Sequence, residues 1–233
     1  MKVFAALVGK EEQALFTSPI AYVVLTVFLL LMGYSFCFTL FMTHVSDLVH
    51  LFFQIFVMFL LTIPVITMRL VAEERNLRTL ETLLSAPVSE TQIVLAKYVA
   101  SLSLVVLMLV LSLSYAIVLA IFGEPDWGPI YSGYLGLLLL GAALVAAGLT
   151  ASCIARNQVV AALLSLSIFL LLWIIDQFGY ILPDPFNALV VNLSLSVHFK
   201  PFVTGSLYLS DAGYFISIAL LGIFLSVWAL ARR

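Results

Sequence analysis

The sequence predicts an all-α polytopic membrane protein with six transmembrane helices, and three observations carry that prediction. Of 233 residues, 64% are hydrophobic and only 9% charged, and the mean hydropathy is +1.22. So much apolar surface has no place to hide inside a water-soluble globule of this length. The apolar residues gather in six runs, at about 20–42, 51–68, 94–122, 131–154, 159–181 and 213–230, most of them near the roughly 20 residues that a helix needs to cross the hydrocarbon core. Charge is divided unevenly between the gaps. Lys2, Lys10, Arg69, Arg75, Arg78, Lys97, Arg156, Arg232 and Arg233 fall on one side of a six-span arrangement, and only Lys200 on the other. Lys and Arg favour the cytoplasmic side, so that side and both termini are expected to be cytoplasmic. No basic tract is present that would bind nucleic acid.

Residues 1–18 become polar before the first long run, which does not fit a cleavable signal peptide. They are expected to form an interfacial helix with Val3, Phe4, Leu7, Val8, Ala14 and Leu15 on one face and Gly9, Glu12 and Gln13 opposite. Glu11, next to Lys10, intrudes on the apolar face; either a protein group meets it or the carboxylate reaches back to water. The second run is short and holds Pro64, a site for a kink, while the third is long enough to tilt or protrude.

Between them, residues 69–92 form the largest loop on the basic side. Leu77, Leu80, Leu83 and Leu84 line one helical face, and Glu74 precedes Arg78 by four residues in the favourable order. Pro87 stops this helix. Ser89–Gln92, "SETQ", has the form of a capping box that opens the third span. Two readings stay open: a helix lying on lipid, or a rigid lever fitted to a protein partner and joined to spans two and three.

Gly148 and Ser152, in "GLTAS", have the small-xxx-small spacing of a close helix contact. The turn "ARNQ" offers Arg156 as a second, smaller contact on the basic side or as a topological anchor. Asp176 is the one acid inside an apolar run, placed either for function or for snorkelling to the interface. Residues 182–212 are too broken by Pro and polar groups to span, yet too apolar for an ordinary loop, and re-entrant helices reconcile the two.

Catalytic signatures are missing from the sequence. Gly9-Lys10 lacks the spacing of a phosphate-binding loop. "HVSDLVH" sets His44, Asp47 and His50 three residues apart, which reads as a solvated helix end rather than a metal site. Cys37 and Cys153 read as small core residues. A secondary transporter or channel normally shows ionisable or helix-breaking groups near the midplane, and Pro64 and Asp176 are the whole supply.

Residues 63–102, "IPVITMRLVAEERNLRTLETLLSAPVSETQIVLAKYVASL", resemble the signature of the type-two ABC exporter permeases: Pro-x-x-Thr-Met-Arg, Glu-Glu-Arg, Gly-Thr-x-Glu-x-Leu-Leu, Pro-Val and Gly-Lys. Arg78 and Ala96 stand where the pattern has glycines. The N-terminal "KEEQALFTSPIAYVVLTVFLLLMGYSF" and the late "LSVHFKPFVTGSLYLSDAGYF" are similar to the GldF-like branch, the permeases named for gliding motility.

The resemblance implies a half-transporter in the bacterial inner membrane. It would pair with a second permease, identical or paralogous, with ABC ATPase subunits that hold ATP and Mg, and with a large extracytoplasmic GldG-like subunit. This chain would carry no cofactor and no catalysis of its own. The 69–92 loop would be the coupling helix, with Glu73, Glu74, Arg75, Arg78, Thr79, Glu81, Leu83, Leu84 and Pro87 as its contact residues, joined by Lys10, Glu11 and Arg156. A non-transporting membrane anchor that uses the same dock is the alternative.

The topology has a direct test. In a variant lacking Cys37 and Cys153, single cysteines placed at Glu90 and at Asp126 should react with membrane-impermeant maleimide from opposite faces of sealed vesicles. Labelling from the same face would remove the six-span arrangement.

Overall fold

A computed structural model of the chain describes residues 2–43, 48–77, 79, 88–123, 125–179, 183 and 186–232. Among the described residues all regular structure is helical, in ten helices: α1 (Lys2–Thr17), α2 (Pro19–Thr43), α3 (Val49–Thr67), α4 (Ala72–Asn76), α5 (Glu90–Phe122), α6 (Trp127–Ile154), α7 (Gln158–Gly179), α8 (Phe186–Val191), α9 (Leu195–Val203) and α10 (Leu209–Ala231). Six of them, α2, α3, α5, α6, α7 and α10, are long and apolar enough to cross a membrane.

Their starts follow local chemistry. Ser89 caps α5 through the expected box: its Oγ accepts from the Gln92 N–H at 3.3 Å, and Gln92 Oε1 accepts from the Ser89 N–H at 3.3 Å. Asp126 caps α6 by accepting from the Gly128 N–H at 3.0 Å. Both helices therefore begin about one turn ahead of their apolar runs, which the hydropathy pattern does not register. Pro64 is accommodated inside α3 and is buried.

The central element is α6. Its most apolar stretch is 72% buried, against 17% for α7, and it packs on α3, α5, α7, α9 and α10. Small residues make this possible. A Cβ on Gly148 would lie 2.3 Å from Thr67 Oγ1 of α3, so the expected close contact is real and is made with α3. On α10, a Cβ at Gly222 would meet the Ala146 backbone carbon at 2.8 Å. Thr150 Oγ1 lies 2.8 Å from the Gly222 carbonyl and 3.1 Å from Ser226 Oγ, adding a polar seam to that crossing.

Towards the end opposite the basic residues, aromatic rings fill the interior. Phe199 of α9 stands 5.2 Å from Phe56 and 5.9 Å, edge-on, from Phe53 of α3. The helices α8 and α9 have six and nine residues, far short of the roughly 20 that a crossing requires. The expectation that this segment does not cross as one helix agrees with these lengths. One expectation fails: Cys37 is exposed on the outer face of α2, and only Cys153 is a buried small residue.

The α6–α10 seam separates two alanine substitutions of the same kind. Gly222→Ala should destabilise by about 1–3 kcal/mol, because helix backbone and not a flexible side chain must move. Gly213→Ala, on the same helix with nothing within 4 Å of its Cβ, should be tolerated. Thermal unfolding in detergent, compared side by side, checks the difference in sign.

Candidate functional site: a charged junction at the basic end

Of the charged residues between 66 and 98, Arg69, Glu73, Glu74, Arg75 and Lys97 are drawn together at α4. After α3 ends at Thr67, a turn leads into this five-residue helix, which is held from three sides. From α6, Ser152 Oγ accepts from the N–H groups of Val71 and Ala72 at 3.1 Å each and donates to the Met68 carbonyl at 3.2 Å. It caps α4 from another element, since the local residues supply no side-chain cap. Arg75 returns the favour at the C-terminus of α6, donating to the Cys153 carbonyl at 2.7 Å and also to the Ala155 carbonyl. Those carbonyls are among the orphaned acceptors at the negative end of a helix dipole.

The second hold is a bidentate pair. Arg69 Nε and Nη2 donate to Glu73 at 2.6 and 2.8 Å, and Nη1 donates to Ser18 Oγ at 2.8 Å, at the α1–α2 joint. Gln158, the first residue of α7, also bonds to Glu73.

The third hold is Lys97, about two turns beyond the α5 cap. Its side chain is 1% exposed, and Nζ lies 2.8 Å from Glu74 Oε1 and 3.0 Å from Glu11 Oε2. One ammonium therefore ties α1, the segment α4 and the third span together. A lysine this deeply covered is retained only when paired, and the partners here are two carboxylates from elements far apart in sequence. Lys10, 58% exposed at 3.6 Å from Glu11, is a surface pair of small worth.

Glu73, Glu74 and Arg75, read from sequence as contact residues, all turn inward and brace α4 against this chain's own helices. The protein group that Glu11 awaited is Lys97. Thr79 is exposed, and its N–H donates to the Glu74 carbonyl at 2.9 Å. Arg156 is exposed in the α6–α7 turn. Arg78, Leu80, Glu81, Leu83, Leu84 and Pro87 lie outside the described residues, as do His44 and Asp47. The described helix of this segment begins at Ala72, ahead of the leucine face expected from Leu77 onwards, and Leu77 is 64% exposed.

Sequence reasoning read Ser152 only as a helix-contact residue and Lys97 only as a basic-side charge, and it missed Ser18. The signal for Lys97 was present, since an ionisable residue at the edge of an apolar run calls for a named partner.

At the opposite end, His198 of α9 places Nδ1 2.7 Å from Asp211 Oδ1 and Nε2 3.0 Å from the Asn192 carbonyl, and stacks on Tyr214 at 4.0 Å. Ser196 donates to Asp176 at 3.1 Å. Asp176 thus pins α9 to α7, an outcome that neither function nor snorkelling had anticipated. Among the described residues no group of His, Cys, Asp and Glu could hold a metal ion.

The family model described as ABC-2 family transporter protein matches residues 42–227, most of the chain. The protein belongs to that family: it is a multi-pass membrane permease of the ABC-2 type, and membership implies partnership with an ABC ATPase subunit in a family whose membrane subunits are generally non-catalytic. Comparison with curated proteins finds no match.

The junction predicts an asymmetric mutational response. Lys97→Met should destabilise the protein by about 3–5 kcal/mol, because it strands two partly buried carboxylates beside each other. The triple variant Lys97→Met, Glu11→Gln, Glu74→Gln should recover more than half of that loss. Denaturant unfolding in detergent micelles checks both; equal stability of the single and triple variants would count against a buried ion triad.

Proposed function

We propose that this chain is the transmembrane half of an ATP-driven exporter, and that segment 69–92 receives the motion of a separate ATPase and passes it into the spans. The observation that carries the reading is Lys97 paired with Glu11 and Glu74. A loop that only rested on lipid would have no use for a buried ion triad fixing it to α1 and α5. Arg75 and Ser152 fix the same segment to α6, the helix on which most of the bundle packs. A push on α4 is therefore felt by three spans at once.

On this reading the residues divide by task. Glu73, Glu74 and Arg75 brace the lever, while Leu83, Leu84 and the neighbouring Arg78 and Glu81 meet the ATPase, with Thr79 and Arg156 beside them. The basic end is cytoplasmic, the membrane is the bacterial inner membrane, and a second permease completes the pathway. The GldF-like resemblance further suggests a large extracytoplasmic GldG-like subunit against the α8–α9 end.

Affinity purification of the tagged chain from native membranes should bring down an ABC ATPase. Leu83→Asp should lose it, since an unpaired charge enters the apolar contact. Arg75→Gln should keep the ATPase bound while lowering its turnover by about 5- to 150-fold, the range of ordinary coupling energies. Asp126→Asn at the other end is the control. Purification without any ATPase, or full turnover in both loop variants, would overturn the proposal.

A further inference from the structure

At the end of the bundle opposite the charged junction, His198 joins three elements. The ring belongs to α9. Its Nδ1 stands 2.7 Å from Asp211 Oδ1 of α10, and its Nε2 stands 3.0 Å from the carbonyl of Asn192 in the α8–α9 turn. One face of the ring stacks on Tyr214 of α10, with centroids 4.0 Å apart and planes inclined by 22°. The Tyr214 hydroxyl donates in turn to the Leu193 carbonyl at 2.6 Å. The His198 side chain keeps 14% of its surface exposed and that of Asp211 keeps 10%. The pair is largely covered, yet protons from water can reach it.

A neutral imidazole cannot satisfy both contacts. It carries one N–H and one lone pair, whereas a carbonyl and an ionised carboxylate only accept. With the hydrogen on Nδ1, the Nε2 lone pair confronts the Asn192 carbonyl. With the hydrogen on Nε2, the Nδ1 lone pair confronts Asp211. A second proton removes the conflict, whether the ring holds it or shares it with Asp211, so the pair titrates as one unit. The charged ring also gains from lying over the Tyr214 face. Among the described residues no other titratable or charged group bonds to the ring. Asp176 of α7 accepts from Ser196, and Tyr134 of α6 accepts from Ser112 of α5. His50 of α3, Asp126 at the α6 cap, Lys200 of α9 and Tyr208 ahead of α10 are exposed.

We propose that His198 and Asp211 form a proton-binding site that clasps α9 and the α8–α9 turn to α10, closed while the pair holds its extra proton and loosened when that proton leaves. The closed clasp binds the proton and the loosened one releases it, so acid favours closure and rising pH favours opening. Loosening is local. Phe199 and Phe202 of α9 are buried, at 0% and 1% exposure, and the bond from Ser196 to Asp176 does not involve the ring. The turn at Asn192 and Leu193 therefore parts from α10 first, while the rest of α9 stays seated. Such a device makes the α8–α9 end of the permease responsive to the acidity of the medium it faces.

The test is hydrogen–deuterium exchange of the full chain in mild detergent at about pH 5.5 and about pH 8.5, on either side of the ordinary histidine range, with rates corrected for base catalysis. Residues 192–200 should be about tenfold better protected at the lower pH, as one charge-assisted hydrogen bond provides. His198→Gln should abolish this difference. Asp211→Asn, whose amide can turn to meet either tautomer, should lose most of it; where one of the two fails to fold, the other carries the comparison. Tyr214→Phe should lower protection at both pH values and keep the difference, because it removes only the bond to Leu193. His50→Gln and Asp176→Asn, which alter other titratable side chains of this end, should leave the difference as it is. Equal protection of the unaltered chain at the two pH values overturns the proposal. So does a difference that survives His198→Gln or Asp211→Asn, or one that disappears in His50→Gln or Asp176→Asn. No ATPase takes part in this readout, so its outcome is independent of the exporter reading.

Discussion

The arrangement of the basic end depends on one buried ammonium. Lys97 enters the bundle about two turns inside the α5 cap and carries a charge that no apolar neighbour can compensate, so the fold has to bring carboxylates to it. Glu11 arrives from α1 and Glu74 from α4, and the ammonium joins the two elements at one height. Most α1 side chains are only half-buried or exposed, and α4 is a single five-residue turn of helix. Isolated helices of such length have no stability in water. Their positions come from the ion triad, from Arg69 on Glu73 and Ser18, and from the caps that Ser152 and Arg75 exchange with α6.

That exchange works because α6 can be approached closely. Gly148 lets Thr67 of α3 lie against the α6 backbone, and Gly222 lets α10 do the same from the other side. One turn beyond Gly148 comes Ser152, whose single hydroxyl meets two N–H groups and one carbonyl of the α3–α4 turn. Close helix packing and capping of α4 are therefore one feature. The bundle is tight enough at this level for a serine hydroxyl to reach the backbone of the next element.

The spans, the capping box at Ser89 and the contact at Gly148 were legible in the sequence, because each depends on residues close together in the chain: a run of apolar side chains, a four-residue cap, a four-residue spacing. The junction was legible only in its composition. That Glu73, Glu74 and Arg75 matter could be read from their charge in an apolar chain, but not the direction in which they face. That depends on Lys97 and Glu11, 86 residues apart, and on carbonyls at the end of α6. The same holds at the opposite end. Asp176 and His198 looked like solitary groups, and each finds its partner, Ser196 and Asp211, on another helix. Pairings between distant polar residues leave no periodic trace.

The two ends of the bundle handle polarity in contrasting ways. At the α8–α9 end the polar contacts are brief: a histidine on a carboxylate, a serine on a carboxylate and the Tyr214 hydroxyl on the Leu193 carbonyl at 2.6 Å, set beside a packed aromatic interior. At the basic end the contacts are multiple, charge-assisted and shared among α1, α4, α5, α6 and α7. Brief neutral or singly charged contacts can part and re-form at small cost, whereas a bidentate Arg–Glu pair and a lysine between two carboxylates resist separation. Motion within this permease is therefore expected to leave the junction intact as a rigid body and to be taken up at the α8–α9 end. On the exporter reading proposed above, a part that takes a push at one end and yields at the other is what conversion of ATPase movement into opening of the far side would require, and the distribution of charge along this chain builds that difference in stiffness.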